Sequence, residues 1–265
     1  MSNLIKLDLL KIVKDKLFII MCAICLGTAL FTPIAYKVID LIVRNTDGSS
    51  LFISSARELA FSAFSPTGAP GLILIIFMPI ILHKEYSSGV IRNKIIYGKS
   101  RESIYFSLFF SAFIIMFGVM VVVSLISFLF SLVFFNYVPN GVSVDVGTDV
   151  ASIFLSLLFE AFIYLFIVGL MMFFTIGVGS IPLSIVVPVV SSVLLSLLST
   201  ILAFAAEGTK AEEVVSYINI FRLAELIGIG KYPMGLFIAM FITPMVYSAI
   251  FIPTGFVIFK NKSIK

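Results

Sequence analysis

An all-α integral membrane protein is the fold class this sequence predicts, organised as a single transmembrane domain over residues 1–265 with six transmembrane helices. Three observations carry that expectation. Of the 265 residues, 60% are hydrophobic and only 12% charged, with a mean hydropathy of +1.18, whereas about a quarter of a water-soluble domain is charged. Uncharged runs recur at the length needed to cross about 30 Å of hydrocarbon, roughly 20 residues at about 1.5 Å each. Lys and Arg gather in alternate connections between those runs. The composition excludes a soluble enzyme, a disordered chain and a nucleic-acid-binding domain. With two Cys in all, a disulfide scaffold is excluded too.

The elements follow in order. Residues 1–16 hold a short amphipathic helix over 4–16. At about 100° per residue, Ile5, Leu9, Ile12 and Val13 share one face, and Asp8, Lys11, Lys14 and Asp15 the opposite one. Such a helix lies in the interface against membrane lipids. The first span runs from 17 to 36 between Lys16 and Lys37. No small-x-small cleavage site precedes Lys37, so this span is expected to be uncleaved. The second occupies 59–82, with Pro66, Gly68, Pro70 and Gly71 delaying its regular helix. The third, 103–135, is long enough to tilt or to extend beyond the bilayer. Between Val150 and Ala206 the only charge is Glu160, which fits two spans joined by a tight turn near Gly177–Gly179. The last span runs from Pro233 to Phe259, and Pro182, Pro188, Pro244 and Pro253 can kink their helices.

Orientation comes from charge. Lys6, Lys11, Lys14 and Lys16, then Lys84, Arg92, Lys94, Lys99 and Arg101, then Lys260, Lys262 and Lys265 put twelve of the 18 basic residues on one side. The other side has six, diluted by nine acids. Basic residues accumulate on the cytoplasmic side of a membrane. Both termini and the 83–102 connection are therefore expected in the cytoplasm of a multi-pass protein of the inner or plasma membrane.

The external segments are 43–58, 136–149 and 207–232. Asn140–Gly141 is a turn signal, with Val142, Val144 and Val146 alternating as in a small hairpin. In 207–232, Val214, Ile218, Phe221 and Ala224 follow helical spacing, and Arg222 and Glu225 are placed to pair. Two readings fit this external helix: a lid over an exit path, formed by Val214, Ile218 and Phe221, and a passive interfacial helix.

Most candidate chemistry fails on spacing. Gly98-Lys99-Ser100 resembles the end of a phosphate-binding loop, but Asn93 stands where the first Gly is required and no buried strand precedes it. No ATP hydrolysis by this chain is expected. Cys22 and Cys25 lie inside a span, with the sole His, His83, elsewhere, so no metal site and no catalytic site are expected. Glu160 is the exception, about 15 Å along its helix from Val150. A carboxylate at that depth costs several kcal/mol unless it is protonated, paired or facing water. It is expected to face the bundle interior, bonded to Ser, Thr or Tyr, as interhelical glue or as part of a translocation path.

The cytoplasmic connection carries the strongest signal. It contains Glu85, then Gly89, Arg92, Gly98, and Ser100-Arg101, with apolar Val90, Ile91, Ile95 and Ile96 among the charges. In that order and spacing it resembles permease subunits of ABC-2-type ABC exporters. Their corresponding loop starts with an acid, reaches Gly, and closes on Gly or Pro before Ser-Arg. A Lys common further along is replaced here by Ser107 and Leu108. The resemblance implies a half-transporter that pairs with a second permease subunit, the same or homologous, each engaging a cytoplasmic ATP-binding subunit. ATP and Mg would be bound by that ATPase and not by this chain. The coupling helix would lie within 84–97, with Glu85 and Arg92 contacting the ATPase, Gly89 part of the motif, and Ser100 and Arg101 setting the entry into the third span. The implied activity is alternating-access export of an amphipathic or apolar substrate, such as an antimicrobial peptide or drug. Two other readings remain open from sequence: an ion-coupled secondary transporter using Glu160, and a non-transporting scaffold or sensor subunit.

Overall fold

The computed structural model describes residues 2–47, 55–137, 146–205, 217, 220, 223 and 234–262. Among them the chain is helical, with no strand. The helices are α1 (Ser2–Val13), α2 (Lys16–Asp47), α3 (Ala56–Phe64), α4 (Ala69–Ser87), α5 (Val90–Ile96), α6 (Arg101–Ser131), α7 (Val146–Met172), α8 (Ile181–Ala205) and α9 (Met234–Asn261), with a π-helical turn at Phe173–Val178 continuing α7. Five segments are long and apolar enough to cross a membrane: Lys16–Val43, Ala56–Ser87, Arg101–Ser131, Ile153–Ile176 and Met234–Asn261. The expected fifth span coincides with α8, whose stretch Ile181–Ser191 falls short of that length among the described residues.

Two span boundaries differ from the sequence expectation. Helix α2 does not stop at Lys37 but continues to Asp47. Lys37 lies 3.6 Å from the carboxylate of Asp40, one turn on, and 5.3 Å from the centroid of the Phe135 ring. An i,i+3 pair and an aromatic face offset the charge, so Lys37 is carried within the helix and does not end it.

The second span is two helices and not one delayed helix. Ser55 caps α3, its Oγ accepting from the Glu58 N–H at 3.3 Å. The helix ends at Phe64, the chain turns through Ser65–Gly68, and α4 begins with Pro70 in its first turn. At this link the backbone closes on itself: a Cβ at Gly71 would fall 2.5 Å from the Pro66 carbonyl oxygen, and one at Gly68 2.5 Å from that of Ser62. The Tyr164 hydroxyl of α7 donates to the Phe64 carbonyl at 3.2 Å, satisfying one of the acceptors left by the end of α3.

The turn expected near Gly177–Gly179 is present, between the π-helical turn that continues α7 and the start of α8. Gly179 takes a left-handed conformation, φ 82°, with its own N–H and that of Ser180 both donating to the Phe174 carbonyl at 3.1 Å. Such a φ suits Gly because no Cβ opposes it.

Aromatic rings join the helices. Tyr105 of α6 packs at 5.6 Å from Phe256 and 5.8 Å from Phe259 of α9, and its hydroxyl donates to the Ile252 carbonyl at 3.2 Å. Phe159 of α7 meets Phe241 of α9 edge-on at 4.7 Å. Each such pair contributes about 0.5–1.5 kcal/mol beyond the area it buries. The many Phe are thus divided between this core and an outward apolar surface that includes Phe31 and Phe154.

Candidate functional site: the 83–102 connection and its charged seat

Local chemistry shapes the 83–102 connection. Gly89, at φ 71°, separates α4 from α5, and Gly98, at φ 77°, ends α5. The Gly98 N–H donates to the Ile95 carbonyl at 2.9 Å and the Lys99 N–H to the Lys94 carbonyl at 3.1 Å. That is the Schellman arrangement, which requires a left-handed residue where Gly98 stands. Ser100 then caps α6, its Oγ accepting from the Ser103 N–H at 3.2 Å.

Arg101 has a role that spacing does not reveal. Its guanidinium donates to the carbonyls of Lys260 at 2.5 Å and Lys262 at 2.8 Å. It therefore satisfies acceptors at the C-terminal end of α9, where a cation is also favoured by the helix dipole. Lys262 in turn lies 4.8 Å from the Tyr86 ring and donates to the Ile176 carbonyl at 3.4 Å. The start of α6, the end of α9, the end of α4 and the π-helical turn thus meet at one end of the bundle.

Helix α1 is fastened to the same end by three ion pairs. Lys94 Nζ of α5 is 2.5 Å from Asp8, Lys11 Nζ is 2.6 Å from Glu85 of α4, and Lys84 Nζ is 2.6 Å from Asp15 in the turn after α1. Ser107 of α6 donates to the other Asp8 oxygen at 2.5 Å. This corrects the helical-wheel reading of α1: Asp8 is buried at 2% exposure beside Leu4 and Ile12, while Val13 is exposed. The buried face includes a carboxylate because α5 and α6 supply its cation and hydroxyl. The Lys84 hydrogen bond holds the Asp15 carboxyl below the usual carboxylate range, helped by the Leu17 N–H and Lys11 and opposed by burial.

The expected contact residues divide. Glu85 is buried against α1, where it pairs with Lys11, whose own side chain remains about half exposed at 48%. Arg92 is exposed. Of the apolar residues expected to dock a partner, Ile91 is fully buried and Val90 and Ile95 are partly covered. Ile96 and Tyr97 remain outward, 69% and 83% exposed, and Tyr97 had no place in the sequence reading. Gly89 and Gly98 set where α5 starts and stops, and Ser100 and Arg101 fix the start of α6.

Glu160 is buried in α7 at 1% exposure. Its Oε2 has no hydrogen-bond partner among the described residues, and the nearby Tyr164 hydroxyl serves Phe64 instead. Cys25 is a free thiol directed at the Pro70 carbonyl, 3.8 Å away, and Cys22 is also free. The expected lid residues Val214, Ile218 and Phe221 lie outside the described residues, as do 138–145 with the expected hairpin turn. Within 207–232, Tyr217, Ile220 and Leu223 are helical, Ile220 and Leu223 are buried, and the Tyr217 carbonyl accepts from Thr243 of α9 at 2.8 Å. Compared with family models and with curated proteins, this chain matches none.

Proposed function

We propose that this chain is the membrane-spanning permease subunit of an ABC-2-type exporter. On this reading α8 completes six crossings, both termini face the cytoplasm, and the membrane is the inner or plasma membrane of the cell. A cytoplasmic ATPase subunit binds ATP and Mg, and a second permease subunit, the same or homologous, completes the pathway. The substrate class is an amphipathic or apolar molecule, such as an antimicrobial peptide or drug, moved outward by alternating access.

One observation carries the reading. Between the second and third long apolar segments stands a seven-residue helix, bounded by left-handed Gly89 and Gly98 and followed by Ser100-Arg101. Its inner side is held to α1 and α6 through Lys94, Asp8 and Ser107, while Arg92, Ile96 and Tyr97 face outward. A short helix tied firmly to the bundle, with one cation and two apolar side chains exposed, suits docking of a soluble subunit. Its motion would be passed to α1, α4 and α6. ATP then acts by differing contact free energies with the ATPase in two states.

The test is recovery of tagged protein from its native cell in mild detergent, with partners identified by mass spectrometry. The Arg92→Glu, Tyr97→Ala variant keeps its thermal stability, since neither side chain is buried. Recovery of an ATPase subunit with the unchanged chain, and its loss with the variant, is the expected result. Absence of any ATPase after cross-linking overturns the proposal.

A further inference from the structure

At the end of the bundle away from α1, a cavity of about 300 Å³ opens between α3, α6 and α7. Phe61, Phe64, Ser124, Phe128, Ile153 and Leu157 are among its walls. Leu157 and Glu160 are three residues apart on α7, so the backbone of Glu160 lies only about 4.5 Å further along the helix axis than that of Leu157. Phe64 is itself a wall of the cavity. Its ring packs 5.8 Å from Phe117 and 6.3 Å from Tyr164, and Tyr164, one turn beyond Glu160, holds its carbonyl.

The place of Phe64 in the chain matters. It is the last residue of α3, just before the Ser65–Gly68 link, so its backbone can shift with the link without breaking the hydrogen bonds of a continuous helix. Beyond the link, Cys25 closes on Pro70. Broken membrane helices commonly mark the places where ions are bound or passed. A buried carboxyl oxygen without a partner at such a break points to a ligand as small as a proton.

We propose that Glu160 is a proton-binding site whose access from this cavity is gated by Phe64. With Phe64 closed, as here, the proposed site keeps its proton, because no cation stands beside the carboxyl among the described residues and its Oε2 receives no hydrogen bond. With Phe64 displaced, water from the cavity reaches Glu160. The O–H bond breaks heterolytically, the electron pair stays on the carboxylate and the proton passes to water; closure requires its return. Tyr164 stands one turn beyond Glu160 on α7, and Cys25 of α2 is directed at the Pro70 carbonyl beyond the link. The remaining titratable or charged groups are Asp149 of α7 itself and, on the packed elements, Arg57 and Glu58 of α3, His83, Lys84, Glu85 and Tyr86 of α4, Arg101, Glu102 and Tyr105 of α6, and Tyr247 and Lys260 of α9; α8 has none. Apart from Tyr247, which packs on Phe166, these residues lie toward helix ends.

The proposal is independent of the exporter reading, and its test uses the chain alone in lipid nanodiscs. Infrared spectra at neutral pH are expected to contain an un-ionised carboxyl band that Glu160→Gln removes. Dicyclohexylcarbodiimide, an apolar reagent for protonated carboxyls, is expected to label Glu160, as mapped by peptide mass spectrometry. A water-soluble carbodiimide is expected to label Glu160 in Phe64→Ala but not in the unchanged chain. Phe64→Leu with Leu157→Ala serves the same purpose if Phe64→Ala does not fold. Absence of the band and of apolar labelling overturns the proton site. Equal aqueous labelling with and without the Phe64 ring overturns the gate.

Discussion

The carboxylate of Asp8 on α1 and the ammonium of Lys94 on α5, 86 residues apart in sequence, meet at 2.5 Å in a site closed from above by Ser107 of α6. Side-chain exposure is 3% for Asp8 and 14% for Lys94. A pair this sheltered from water constrains its helices more than a surface pair does, because either charge left alone is poorly solvated. It is the closest mechanical connection between the amphipathic N-terminal helix and the short helix proposed to receive the ATPase.

Asp8→Ala is expected to destabilise the protein by about 3–5 kcal/mol, since it strands Lys94 in a buried site. The double variant Asp8→Leu, Lys94→Met is expected to recover most of that loss, because it removes both charges. Thermal unfolding of the single and double variants in one detergent checks this. A double variant no more stable than Asp8→Ala would show that packing of α1, and not the charge pair, dominates.

Acid should weaken the Asp15–Lys84 pair in a defined direction. The folded-state pKa of Asp15 lies below its ordinary 3.8, chiefly through the Lys84 hydrogen bond. The stabilisation is therefore fully present above that ordinary value and is lost as pH falls through the lower, folded value. The melting-temperature difference between the protein and Asp15→Asn is expected to be constant near neutrality and to vanish only in strong acid. Lys84→Ala is expected to move that loss to higher pH.

Arg101 offers a test of geometry against charge. Replacement by Ala removes two donors from the end of α9 and is expected to cost about 1 kcal/mol, the site being partly exposed. Arg101→Lys keeps the charge but not the planar Nη1 group whose two N–H bonds reach the Lys260 and Lys262 carbonyls. Its melting temperature is therefore expected to fall between those of the Ala variant and the unchanged protein.

Glycines separate close approach from helix propensity. Gly71→Ala places a Cβ 2.5 Å from the Pro66 carbonyl oxygen and is expected to cost at least about 1–3 kcal/mol by forcing the second-span link apart. Gly118→Ala in α6 meets nothing within 4 Å and is expected to be neutral or stabilising by up to about 1 kcal/mol. Parallel melting curves decide between them, and equal effects would contradict the close packing at the break.

Much of the site was legible where a residue acts on its neighbours in the chain. Gly98 had to follow α5 and Ser100 had to precede α6, because caps are set by backbone geometry within four residues. Asp8 was misread for the opposite reason. A wheel drawn from one helix treats every charge as facing water, and its partners Lys94 and Ser107 lie on other elements. Lys37 failed similarly as a span boundary, since its neutralisation depends on Asp40 and on a ring contributed by Phe135.

Sequence by itself determined that the chain is an apolar, all-helical protein of span-length segments, where its second span would falter and where the turn at Gly179 would fall. These are one-dimensional properties: hydropathy summed over a helix length, and local φ preferences of Gly and Pro. Only the tertiary structure decided that Asp8 and Glu85 are buried, that Arg101 grips the end of α9, that Ile96 and Tyr97 remain outward, and that a cavity lined by Phe64 and Leu157 lies beside the helix that carries Glu160. The physical reason is that burying a charge depends on a partner within about 3 Å, and for Asp8, Glu85 and Arg101 that partner comes from another helix.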